Sequence, residues 1–147
     1  MSRLLTPGPV PFETEAFPKK AVSHTDPDFR RTMKRLQDGL QQVFGVSGFT
    51  AALTGSGSWG GEVACMNFLD PTKKALVLSG GLFGARLAEM ARLRGAQVHV
   101  VELTGEGKVP WGLLGDALHS VKPDLFFCVH VDTSTGTMVP VHEVLEF

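Results

Sequence analysis

Thr54-Gly55-Ser56-Gly57-Ser58-Trp59-Gly60-Gly61 lies between an apolar run at residues 49–53 and a helix-like run at residues 62–69. A strand, a tight Gly/Ser turn and a helix start, in that order, make a ready anion site. Glycine lets the backbone approach closely, and the first N–H groups of a helix have no partner within it. Ser56 and Ser58 add hydroxyl donors. The same residues also suit a strand-to-helix turn with no ligand, and this stretch alone does not separate the two readings.

Upstream, Thr6-Pro7-Gly8-Pro9-Val10-Pro11 is incompatible with a helix interior and reads as a stiff, extended arm. Asp26-Pro27 reads as an N-cap followed by proline at the first helical position. Phe29, Met33, Leu36, Leu40 and Val43 then follow at helical spacing, and Gly45 closes the run. Arg30, Arg31, Lys34, Arg35 and Asp38 fill the opposite, solvated face. The expected division is an arm at residues 1–25 followed by an α/β portion at residues 26–147.

Downstream, residues 75–78 form a short all-apolar strand, as in a buried parallel sheet. Ser79-Gly80-Gly81 turns it into a helix at residues 83–94. A strand at residues 97–102, a loop at 104–108 and a helix opened by Pro110 and ended by Lys122-Pro123 come next. A strand is expected at residues 125–131, then the loop Asp132-Thr133-Ser134-Thr135-Gly136, then a helix at residues 141–147. Alternating strands and helices argue an α/β fold with a mostly parallel sheet and flanking helices. Ligands in such sheets bind at the carboxyl ends of the strands. The loops at 56–59, 79–83 and 132–136 all fall there, which favours a shared ligand.

The 147 residues suit one domain, and 43% hydrophobic content is enough for a core. A net charge of −1 gives no reason to expect nucleic acid or an anionic membrane as partner. No apolar run approaches a membrane span, and the first residues show no apolar signal region, so a cytoplasmic location is expected. Cys65 and Cys128 read as buried thiols in a reducing compartment, without a disulfide or metal.

Gly55 to Gly60 also matches the dinucleotide pattern G-x-G-x-x-G. That pattern requires an acid at the end of the next strand, about 20 residues on, to hold a ribose. The sequence there is Leu78-Ser79-Gly80-Gly81, and Asp70 precedes the strand. No Gly-Lys-Ser/Thr is present, so the P-loop reading fails as well.

Several further segments fall in a recognisable order: Leu5-Thr6-Pro7-Gly8-Pro9, Ser23-His24 with Asp28-Phe29, the Gly55–Ser58 turn, Ser79-Gly80-Gly81-Leu82-Phe83-Gly84 and Thr133-Ser134-Thr135-Gly136. In these the chain resembles the class V aminotransferases of the fold-type I pyridoxal-phosphate enzymes. That group includes alanine–glyoxylate, serine–glyoxylate and 2-aminoethylphosphonate aminotransferases. The resemblance implies part of the large domain of such an enzyme and transamination of a small amino acid or amine with glyoxylate or a 2-oxo acid. It implies pyridoxal 5'-phosphate as cofactor and a homodimer.

By resemblance, Ser56, Gly57 and Ser58 hold the cofactor phosphate, Phe83 stacks on its ring, Thr133 lies near its phenolic oxygen and Gly8 lines the substrate pocket. Without the family, Phe83 reads as a core aromatic. Trp59 reads as a packing residue, and His24 as a structural one. His130, near a strand end, is not assigned as a ligand. The family's Schiff-base lysine, its ring-nitrogen carboxylate and its substrate-binding arginine match no position in these residues. The seven lysines, at 19, 20, 34, 73, 74, 108 and 122, do not match the catalytic one. The other reading is therefore a catalytically inactive remnant or interaction module using the fold alone. The resemblance also implies a seven-stranded sheet. In it the strand after Asp124 is central, is not beside its predecessor in sequence, and is flanked by strands from a further segment.

Overall fold

The computed structural model describes residues 22–147. The chain divides into two compact units, Met1–Thr54 and Gly55–Phe147.

In the first unit, helix α1 spans Pro27–Phe44. The Asp26 carboxylate accepts from the amides of Asp28 at 2.7 Å and Phe29 at 3.3 Å, and Pro27 opens the helix with its ring-fixed φ. Gly45, at φ 61°, ends it in the left-handed region, as the sequence predicts. Gln37 and Thr50 then exchange side-chain bonds with each other's carbonyls, both at 3.3 Å. The strand expected at residues 49–53 does not form. Phe49 and Leu53 are exposed, and among the described residues no strand pairs with this segment. Without a ladder partner the run cannot pair its backbone N–H and C=O groups along a strand, and the Gln37 side-chain amide takes the Thr50 carbonyl instead.

The second unit is organised around strand β1, Lys74–Ser79. It pairs in parallel with β2, Gln97–Glu102, on one side and with β3, Leu125–Cys128, on the other. The order is therefore β2-β1-β3. Helices α2, Gly57–Phe68, and α3, Leu82–Leu93, provide Cys65, Met90 and Ala91 to a core that covers Ala75. Helices α4, Trp111–Val121, and α5, Val141–Glu146, provide Leu114, Ala117 and Val144 to a second core over Leu76 and Leu78. The alternation of β1 side chains thus builds two cores. Right-handed crossovers explain the layers: the chain crosses from β1 to β2 and then back past β1 to β3, so α3 and α4 fall on opposite faces.

At the amino end of the sheet, Asp124 ties β3 to β1. Its carboxylate accepts from Lys73 Nζ and from the Lys74 amide, both at 2.9 Å. The Lys74 amide and the Lys73 ammonium hold this carboxyl below the usual carboxylate range.

Three further expectations need correction. α2 begins at Gly57 rather than at residue 62, because the Ser56 hydroxyl caps it by accepting from the Trp59 amide. Gly61 lies inside the helix and packs closely on the facing one, where a Cβ would lie 2.9 Å from Leu87 Cδ2. The last strand ends at Cys128, not residue 131. Residues 131–132 instead form β4, Val131–Asp132, paired antiparallel with β5, Thr137–Met138. Finally, β3 is flanked on one side by β1 of this same chain, where both neighbours were expected from elsewhere. It does lie away from β2, its predecessor in sequence, and it forms a sheet edge. Its residues are accordingly half-buried rather than enclosed on both faces.

The α3–β1 junction gives a stability test. A Cβ on Gly84 would stand 2.7 Å from Ser79 Cα, a backbone atom. Gly84→Ala is expected to destabilise the second unit by about 1–3 kcal/mol, read by denaturant titration. Unchanged stability would mean that the helix and strand are not held this closely.

Candidate functional site

The loops at the carboxyl edge of the sheet converge on the first turn of α3. The cap position of this helix is Gly81, which has no side chain to offer. Residues from the β4–β5 hairpin serve instead. Leu82 N donates to Ser134 Oγ at 2.9 Å, and Phe83 N and Gly84 N donate to Asp132 Oδ2 at 3.1 and 3.4 Å. Thr135 Oγ1 donates to the Gly80 carbonyl at 2.8 Å. The hairpin turn is closed by Gly136 at φ 72°.

Asp132 is buried. Burial alone would raise its carboxyl, but bonds from the Ser134 hydroxyl and from the amides of Ser134, Gly84 and Phe83 outweigh it and hold the group below the usual range.

The Gly/Ser turn reaches the same helix. Arg86 Nη1 donates to Ser58 Oγ at 3.2 Å, and the Arg86 guanidinium carbon lies 5.9 Å from the Phe83 ring centroid. Gly57, Ser58, Phe83, Arg86, Leu87 and Met90 line one cavity of about 240 Å³. At the start of α2 the Trp59 amide is taken by Ser56 Oγ and the Gly60 amide by the Ser56 carbonyl. The amides of Gly57 and Ser58 have no protein acceptor among the described residues. A space open at the side, two free amides, a hydroxyl and a guanidinium together favour an anion.

Of the residues singled out in the sequence, Gly57, Ser58 and Phe83 share this cavity. Ser56 stands beside it, with its hydroxyl engaged as the cap of α2. Thr133 is exposed, between Asp132 and Ser134 on the hairpin that caps α3. Gly8 lies outside the described residues. Phe83 is 37% exposed, so it is not an enclosed core aromatic. Arg86 and Asp132 were not singled out. Arg86 follows Phe83 by three residues, a spacing that places both on one helix face. Asp132 is the acid that follows an apolar strand, immediately before the Thr-Ser-Thr-Gly loop.

The fold is that of an α/β domain with a parallel sheet and helices on both faces, and solved structures of fold-type I aminotransferase domains share it. The ureidoglycine–glyoxylate aminotransferase of Bacillus subtilis superposes with a TM-score of 0.78 at 27% identity, over 87% of this chain and 33% of that one. The alanine–glyoxylate aminotransferase of Mus musculus is 32% identical over 94% of this chain and 34% of its own length. The 2-aminoethylphosphonate–pyruvate transaminase of Salmonella paratyphi A is 34% identical over 96% of this chain and 40% of its own. No family model matches the chain. The chain's homologues are thus alanine–glyoxylate and 2-aminoethylphosphonate aminotransferases, and the class V resemblance drawn from the motifs holds. The chain spans between a third and two-fifths of the length of these relatives. Among the described residues, no helix is long and apolar enough to cross a membrane.

Two outcomes follow from the geometry. Phe83→Ala should cost less than about 1 kcal/mol, against the ~3–5 kcal/mol of an enclosed phenylalanine. Melting of the ligand-free chain measures this, and a loss in the larger range would return Phe83 to the core. Asp132, with its folded value depressed, contributes stability that is present above the unfolded value of about 3.9 and is lost as pH falls through the folded value. Asp132→Asn should therefore flatten the fall in melting temperature below pH 4. An identical pH profile in parent and variant would contradict the depressed carboxyl.

Proposed function

We propose that this chain supplies the phosphate-binding and ring-stacking part of a pyridoxal-phosphate-dependent aminotransferase site. The observation that carries the reading is the meeting of Ser58, Arg86 and Phe83 at one cavity on the carboxyl edge of a parallel sheet. The donor set suits a phosphate, and a partly exposed aromatic face beside it suits a flat ring. The similarity to an alanine–glyoxylate aminotransferase and a 2-aminoethylphosphonate–pyruvate transaminase supports the reaction class proposed: transfer of an amino group from a small amino acid or amine to glyoxylate or another 2-oxo acid.

When bound, pyridoxal phosphate supplies the electron sink for such a transfer. The chain's own residues bind and orient. The amides of Gly57 and Ser58, with the dipole of α2 behind them, hold a phosphate, and the Arg86 guanidinium balances its charge. Phe83 covers one face of the ring and keeps water from it. Thr133 offers a hydroxyl from the adjoining hairpin, and Gly8 is assigned to the substrate side.

The lysine that bonds to the cofactor is proposed to come from another segment. Lys73 and Lys74 stand at the end of β1 remote from Ser79, and Lys73 is bonded to Asp124. Lys108 pairs with Glu106, and Lys122 ends α4. On this reading the chain alone is inactive; it works with the segment that bears the lysine, and the whole associates as a homodimer. Exposed Val43 and Phe44 on α1 and the open edge of β3 support such association.

Ser58→Asp tests the phosphate assignment. The new carboxylate would sit at the anion position and draw Arg86 to itself. Affinity for inorganic phosphate and for pyridoxal phosphate, measured by calorimetry, should fall by tenfold or more, about 1.4 kcal/mol, with the melting temperature little changed. Unaltered affinity for both would refute the assignment.

A further inference from the structure

We propose that Asp132 is a positioning residue of this site: its carboxylate fixes the first turn of α3, and with it the Phe83 ring, against the hairpin that carries Thr133. What those two residues would hold rests on the pyridoxal-phosphate reading. The link itself rests on geometry alone.

Asp132 and Ser79 are the buried polar side chains among the described residues, and Asp132 is only 1% exposed. Its two oxygens take different partners. Oδ2 accepts from the amides of Phe83 and Gly84. Oδ1 accepts from the Ser134 amide at 3.1 Å and the Ser134 hydroxyl at 2.5 Å. That hydroxyl accepts in turn from the Leu82 amide. The orphan amides of α3 at residues 82–84 are thus all satisfied by a hairpin about fifty residues downstream, which also places negative charge at the positive end of the helix dipole. A local cap would serve α3 alone and leave the two loops independent. Gly81 prevents that, since a Cβ on it would lie 2.6 Å from Ser134 Oγ and 2.9 Å from Asp132 Cγ. Phe83 and Thr133, far apart in sequence, therefore share one carboxylate as their reference point.

An amide at position 132 keeps the shape and breaks the link. Asparagine has one acceptor oxygen, so its NH2 must face either the α3 amides or the Ser134 amide, donor against donor. In the full 147-residue chain, Asp132→Asn should speed amide hydrogen exchange at residues 82–84 by tenfold or more. Exchange in β1, at Leu76 and Val77, should stay as in the parent. Affinity for pyridoxal phosphate should fall by tenfold or more, while affinity for inorganic phosphate, held at Gly57 and Ser58, stays within twofold. A merely structural residue would weaken both ligands alike. Ser134→Ala removes only the Leu82 acceptor and one donor to Asp132; it carries the same test, with a smaller expected effect, should the asparagine variant fail to fold. Unchanged exchange at residues 82–84, or equal losses for the two ligands, overturns the proposal. If the parent chain binds neither ligand, the functional reading falls, and exchange alone upholds or overturns the link.

Discussion

The second unit depends on the enclosure of β1. From Ala75 to Ser79 the strand has no residue facing water, and both of its edges are paired. A strand in that position needs a helical layer on each face, and the chain meets the need by reversing direction across the sheet after β2. The reversal leaves the loops after β1 and β3 side by side at the carboxyl edge, where doubly wound sheets place their ligands. The hairpin after β3 thus reaches the first turn of α3, beside the candidate site, because the core is closed in this way.

Much of this was legible because it is local. The Asp26, Pro27 and Gly45 signals bound α1, and the strand at Gln97–Glu102 has the limits read from sequence. Each of these signals acts on backbone within a few residues of itself. The misreadings have a different character. Residues 49–53 are apolar and would suit a strand, yet strand formation depends on a partner that no local pattern supplies. The hairpin at residues 131–138 has strands of two residues each, too short for alternation to register. Its one local sign was Gly136, in the left-handed region at the turn.

The candidate site divides along the same line. Glycines and serines at a helix start announce themselves, because the backbone geometry that suits an anion there is one that sequence encodes directly. Arg86 and Asp132 enter through contacts with residues 28 and 48–49 positions away. Their roles come from the folding of α3 onto two other loops, which composition and periodicity do not express.

The parallel ladder also has a consequence in time. During synthesis β1 emerges well before either strand that covers its edges, and its pairing with β3 closes a loop of about fifty residues. Contacts of such separation form late and slowly, and meanwhile an apolar segment stays open to other chains. Here the tie from Asp124 to Lys73 and Lys74 acts as a latch on register. A slip by one residue would lose the carboxylate's bonds while turning Phe126 and Cys128 away from the core they pack against. The polar clasp at one end of the strand thus helps decide, during assembly, which side chains arrive at the other.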